Sequence, residues 1–160
     1  MLPDYSQYAQ LVYAIIGAAM KVYAEMNWGL LEPLYNEALG MELTDCGIEN
    51  ETHKLLPCFY KGRKMEKYYE MDLVVGDIVV ELKSVKEIIP AHRAQLFNYM
   101  RLTQRPIGLL INFGQPSLQG ERYGLDLDTN ECHLLDKKMQ IVPSQQDCWD
   151  DDTPQAFANK

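Results

Sequence analysis

Apolar positions in the first third of the chain repeat at helical spacing. Leu11, Ile15, Ala18 and Val22 recur every three to four residues between about Tyr5 and Met26, which predicts a helix with one face on a core. A second helix is expected from near Leu31 to Gly47, with Pro33 admissible in its first turn. Gly29, Glu32 and Tyr35, three residues apart, mark the side of it turned toward a sheet. From Lys54 the period shortens to that of strands. Lys54 to Tyr60 forms one, with Pro57 pointing to an edge or a bulge; Lys61-Gly62-Arg63-Lys64 turns the chain, and Met65 to Val75 returns. The stretch MDLVVGDIVVELK then reads as two apolar strands joined at Gly76-Asp77. Pro90 opens a third helix that runs to about Thr103, and Ile107 to Phe113 has the length and apolar content of a buried strand. A last hairpin is predicted from Arg122–Leu127 and Cys132–Leu135 around Asp128-Thr129-Asn130. These elements give one domain over residues 1–142. The remaining 143–160, with Asp147, Asp150, Asp151 and Asp152 and few apolar anchors, are expected to be a mobile acidic tail.

The Gly76-Asp77 hairpin carries the chemistry. With those two residues in the loop, Val75 pairs with Ile78, Val74 with Val79 and Leu73 with Val80, so Asp72 lies opposite Glu81. Their Cβ atoms would be roughly 5 Å apart, and like charges directly opposite each other destabilise a sheet unless something compensates. Hard oxygen ligands at that spacing suit magnesium or manganese. Lys83, two residues beyond Glu81, projects from the same face and adds an ammonium. Two acids and one ammonium suit a metal-assisted attack on a phosphodiester. The same residues also fit an ordinary wet strand, in which Glu70 opposite Lys83 makes a cross-strand pair. Against that, the hairpin is apolar on both faces at Leu73, Val74, Val75, Ile78, Val79, Val80 and Leu82, which predicts central strands where charge is costly unless paired or metal-bound.

At this point the chain resembles a known family. GLLEPLY at Gly29 to Tyr35 fits the pattern of the GxxExxY proteins, a branch of the PD-(D/E)XK nuclease superfamily. The likeness continues through YNEAL at Tyr35 to Leu39, Asp72 with Glu81-Leu82-Lys83, AQLFNY at Ala94 to Tyr99 and GLLINFG at Gly108 to Gly114. It implies an α/β/α restriction-endonuclease-like core, a central mixed β-sheet flanked by helices, and a magnesium-dependent nuclease-type site. By that resemblance Asp72, Glu81, the Leu82 carbonyl and Glu32 are candidate ligands of Mg2+ or Mn2+. Gln95 matches the glutamine that follows the Glu-x-Lys strand in many members, and it shares a helix face with Tyr99. One departure is Glu70, where related sequences commonly carry an arginine.

Charge qualifies the choice of partner. A net charge of -8 disfavours phosphate contacts, but it is unevenly spread. Residues 1–53 hold one cation and eight acids, residues 54–105 hold ten and six, and residues 106–160 hold four and nine. The positive third contains the motif. Lys86 and Arg93, with Tyr35 and Tyr99, are the candidate substrate contacts, and Lys54, Lys61, Arg63, Lys64, Lys67, Arg101 and Arg105 add to the basic field. His92 reads as a surface or capping residue rather than a metal ligand. LVYAIIGAAM is too short to cross a bilayer, and four scattered cysteines without CxxC spacing fit reduced thiols, so a cytoplasmic protein is expected. The reading is metal-dependent phosphodiester hydrolysis on nucleic acid, DNA before RNA, with no membrane partner and room for a homo-oligomer. The alternative is a weak or inactive nuclease-fold module that binds nucleic acid or protein.

Overall fold

Central strands buried on both faces build one mixed sheet between two layers of helix. The computed structural model describes residues 2–143 and the backbone of residues 155–156. A 3-10 turn, Ser6–Tyr8, leads into α1 (Ala9–Met26) and α2 (Glu32–Asp45); then follow β1 (Glu51–Tyr60), β2 (Arg63–Val75), β3 (Ile78–Lys83), α3 (Pro90–Thr103), β4 (Ile107–Asn112), β5 (Gln119–Leu125), β6 (Cys132–Leu135) and the two-residue β7 (Gln155–Ala156). The order across the sheet is β1-β2-β3-β4-β5-β6, with β7 against Gln119 and Gly120 of β5. Only β3 and β4 run parallel, as expected for strands joined by a helical crossover. The expected α/β/α arrangement is present. The mobility expected of the acidic tail falls on residues outside those described, apart from Pro143 and the backbone of β7.

Each sheet face has its own core. Ile78, Val80 and Leu82 of β3, with Leu73 and Val75 of β2, pack under α1 and α2, whereas Val74, Val79 and Leu110 pack with Leu96, Phe97, Tyr99 and Met100 of α3 on the other side. All seven apolar hairpin residues are buried. At about 1.5–3 kcal/mol each, their burial is worth on the order of 10–20 kcal/mol before entropy. That is enough to carry a neighbouring carboxyl inside with them, at a cost of a few kcal/mol.

The hairpin register is the one read from sequence at Val75–Ile78, Val74–Val79 and Leu73–Val80, with Gly76 in the left-handed region at φ 56°. Alternation slips at the next residue. Met71 joins Val74 in the α3-side core while Leu73 faces α1 and α2, so Asp72 sits where β2 changes face. On β1 the residue bracketed by the Thr52–Leu73 and Lys54–Met71 pairs is His53, also left-handed at φ 53°. Two neighbouring strands are thus irregular at one point, a common way to re-aim a side chain. Pro57 lies on the edge strand, next to a register shift between Pro57 and Phe59, so both readings of that proline hold.

Candidate active site

Asp72 and Glu81 are joined through each other's backbone. The Asp72 N–H donates to Glu81 Oε1 at 3.1 Å, and the Leu82 N–H donates to Asp72 Oδ2 at 2.9 Å. Side-chain oxygens therefore take over where the β2–β3 ladder stops at Leu73–Val80. Glu81 is only 2 % exposed, deep on the floor, and Asp72 is half-buried beside it. Burial, and then repulsion from Asp72, push the Glu81 carboxyl up to about 9. Asp72 is also raised, mainly by burial, although its bond from the Leu82 N–H opposes the shift.

Glu32 comes from the other layer. It is the first residue of α2, and its carboxyl is raised by burial and then by the charge of Asp72. The loop before it explains how it arrives there. Gly29 takes φ 86° and donates its N–H to the Phe113 carbonyl at 3.0 Å, at the end of β4. Tyr35 is fully buried; its hydroxyl donates to the Asn27 carbonyl at 2.6 Å and accepts from the Leu30 N–H at 3.0 Å, and its ring stacks on Phe113 with centroids 4.3 Å apart. Gly29 and Tyr35 fold the loop so that Glu32 reaches the sheet. Tyr35 is therefore corrected from substrate contact to loop clamp, because its hydroxyl is spent on two backbone groups. Gly29 meets nothing within 4 Å of a would-be β-carbon, so its positive φ is what requires glycine here.

The rim is polar and linked. Lys83 Nζ donates to Gln95 Oε1 at 3.3 Å, Gln95 Nε2 donates to the Tyr99 hydroxyl at 3.2 Å, and that hydroxyl donates to the Glu70 carbonyl at 3.3 Å. Tyr99 is pushed up to about 12 by burial and by the nearby Glu81 charge. Gln95 is exposed and Lys83 half-buried, so accessibility rises from Glu81 outward to α3. His92 caps α3: its Nδ1 accepts the Ile89 N–H at 3.1 Å, which leaves the ring proton on Nε2.

Two other expectations change. Arg93 is 1 % exposed and bonds Glu121 through both Nε (2.8 Å) and Nη2 (2.9 Å), with Tyr123 also donating to Glu121. It is corrected from substrate contact to structural ion pair, since a guanidinium held by a buried carboxylate has no phosphate to meet. Glu70 does not pair with Lys83; its Oε1 lies 2.7 Å from His53 Nδ1. His53 Nε2 faces the Asn36 amide at 3.3 Å, so the imidazole bridges α2 to the residue two before Asp72. Lys86 is exposed on the loop after β3, and its side chain makes no hydrogen bond or ion pair to site residues among those described.

Sequence reading missed His53 and Asn112. Asn112, fully buried, accepts the Val85 and Gly114 N–H groups on Oδ1 (3.0 and 2.9 Å) and donates from Nδ2 to the Val85 carbonyl at 2.9 Å. It fastens the loop after Lys83 to the end of β4. A lone amide in the apolar run GLLINF was the available signal; His53, inside a strand of mixed polarity, had none.

A model of the PD-(D/E)XK nuclease superfamily matches residues 9–123, which include every residue of this site. The chain belongs to this superfamily. A solved structure entitled "Crystal structure of SSO0001" is similar over 78% of this chain and 64% of its own, at 18% identity and a TM-score of 0.47. The present chain thus spans less than two thirds of that one. No curated protein matches the sequence.

Members of the superfamily typically use divalent metals, and the donor set here fits one. Three carboxyls converge, all pushed toward the protonated form by burial, Glu32 and Glu81 also by the charge of Asp72, with the Lys83 ammonium beside them. Hard oxygens with excess negative charge suit Mg2+ or Mn2+. Among the described residues no group of three or more His, Cys, Asp or Glu side chains is arranged to hold a metal ion, so protein ligands here would number fewer than three such side chains.

Proposed function

We propose that this protein hydrolyses phosphodiester bonds of nucleic acid with a divalent cation, DNA ahead of RNA. The observation that carries this reading is the buried Asp72–Glu81 pair, placed between the carboxyl of Glu32 and the ammonium of Lys83. Asp72, Glu81 and the Leu82 carbonyl would hold Mg2+ or Mn2+, with Glu32 ordering water. When bound, the cation lowers the pKa of water and neutralises charge on the scissile phosphate.

The chain's own groups supply the rest. Glu81 must release its proton to act as a ligand. Glu32, at the N-terminus of α2 and facing Asp72, accepts a hydrogen bond from the attacking water and orients it. Lys83, held by Gln95, stabilises the negative charge that develops on the phosphate oxygens. Gln95 in turn is held by Tyr99, so the ammonium is positioned in advance of substrate. The pairing of Glu70 with His53 supports an active site over an inactive one, because it keeps the Glu70 carboxylate off Lys83.

Labelled single strands, duplexes and RNA incubated with rising Mg2+ or Mn2+ test the proposal. The unmutated protein should cut at least one of them only when metal is present, and Glu81→Ala should not. Metal-independent cutting, or equal cutting by Glu81→Ala, would refute it. A complete absence of cutting with retained binding would favour the non-catalytic module.

A further inference from the structure

The β1–β2 hairpin reaches well beyond the core. β3 pairs with β2 only from Leu73 to Val75, so the part of β2 from Arg63 to Glu70 has β1 as its one strand neighbour among the described residues and is exposed throughout. Isolated two-stranded ribbons are marginal and ordinarily polar. This one displays Phe59, Tyr60, Tyr68 and Tyr69 at 41–61 % exposure. Cations lie among them: Lys64 is directly opposite Phe59, Arg63 is opposite Tyr60, and Lys61 lies 5.5 Å from the Tyr60 ring centroid. With Lys67, residues 59–69 hold four cations against Glu66 alone, in a chain whose net charge is -8. None of these four cations is ion-paired among the described residues.

We infer that this arm binds single-stranded nucleic acid, its rings stacking on unpaired bases and its cations following the phosphates, and that it feeds the strand to the site described above. The inference rests on the nuclease reading for what happens at the site, not for the binding itself. Rings exposed on adjacent residues, and so on both faces of a ribbon, need bases whose faces are free, which a duplex hides. A second copy of the chain is a poorer occupant, because two arms of the same positive charge would oppose each other. The base of the arm is tied to the site. Tyr69 at the base of the arm meets Tyr99 edge-on with centroids 5.7 Å apart, and Tyr99 leads through Gln95 to Lys83.

The test is fluorescence anisotropy on the full chain carrying Glu81→Gln, so that nothing is cut, with labelled oligothymidylate, oligouridylate and a blunt duplex. Either single strand should bind more tightly than the duplex, and comparing the two identifies the preferred sugar. Tyr60→Ala with Tyr68→Ala should weaken single-strand binding by roughly tenfold or more and leave the melting temperature unchanged, since both rings are exposed. Arg63→Glu with Lys64→Glu should weaken it and flatten its salt dependence. Undiminished binding by the tyrosine variant, preference for the duplex, or a dimer in sedimentation with no oligonucleotide binding would each overturn the inference. Because binding is read with hydrolysis disabled, a failed arm leaves the nuclease reading standing. A protein that binds through the arm and never cuts leaves the arm standing.

Discussion

Glu81 is the site carboxyl that burial and the charge of Asp72 push up to about 9. Its carboxyl titrates near 4.5 unfolded and about 9 in the fold, so between those values the folded state keeps a proton that the unfolded state has lost. This contribution to stability is complete below about pH 4.5 and is lost as pH rises through 9. The metal-free protein should therefore melt at a falling temperature from pH 5 to pH 9 in a buffered thermal scan. Glu81→Gln keeps an oxygen for the Asp72 N–H and removes the titration. It should flatten that profile and raise the metal-free melting temperature at pH 8 by roughly 4–8 °C, for a gain on the order of 2 kcal/mol. A steep profile in the variant would assign the pH dependence to other groups. Arg93 makes the opposite kind of prediction. Arg93→Ala leaves Glu121 buried without its cation and should cost about 3–5 kcal/mol in urea unfolding. A loss below 1 kcal/mol would mean that the pair is not structural.

At the scale of elements, the site depends on how strand ends are tied. Phe113 donates its N–H to the Lys83 carbonyl at 2.7 Å, and Asn112 fastens the following loop. Asn112→Ala leaves half-buried backbone groups at Val85 and Gly114 without this partner, at up to about 1–3 kcal/mol each. The variant should lose about 2–4 kcal/mol of stability and, in its folded fraction, retain less activity than stability alone explains, because Lys83 is no longer fixed. Retention of full activity and stability would show that the clasp is dispensable. Gly114→Ala should also destabilise, by up to about 3 kcal/mol, since a β-carbon there would overlap the Val85 backbone.

Elements were more legible than contacts. The hairpin register could be read because Gly76-Asp77 fixes the loop and apolar residues flank it on both sides, and α3 begins at Pro90 as its sequence indicates. Arg93 could not be read, because its partner Glu121 lies on β5 and only the packing of α3 against that strand brings them together. Tyr35 failed for a related reason: its spacing from Glu32 is real, but the backbone groups it holds come from a loop whose shape sequence spacing does not give. The slip at Asp72 and His53 had no local signal either, since neither is a glycine or a proline.

Across the whole chain, two acidic stretches flank a positive middle third that contains Asp72 and Glu81. Among the described residues no helix is long and apolar enough to cross a membrane. If Asp72 and Glu81 form a cation site in the folded chain, as proposed, stability must be linked to metal. A cation that binds only the folded form should add about 2.7 kcal/mol at a hundredfold excess over its dissociation constant. Melting temperature would be followed at pH 8 from zero to millimolar Mg2+ for the unmutated chain and Glu81→Gln. A rise that follows metal concentration is expected in the first and none in the second. A flat curve for the unmutated chain, or equal rises in both, would contradict it.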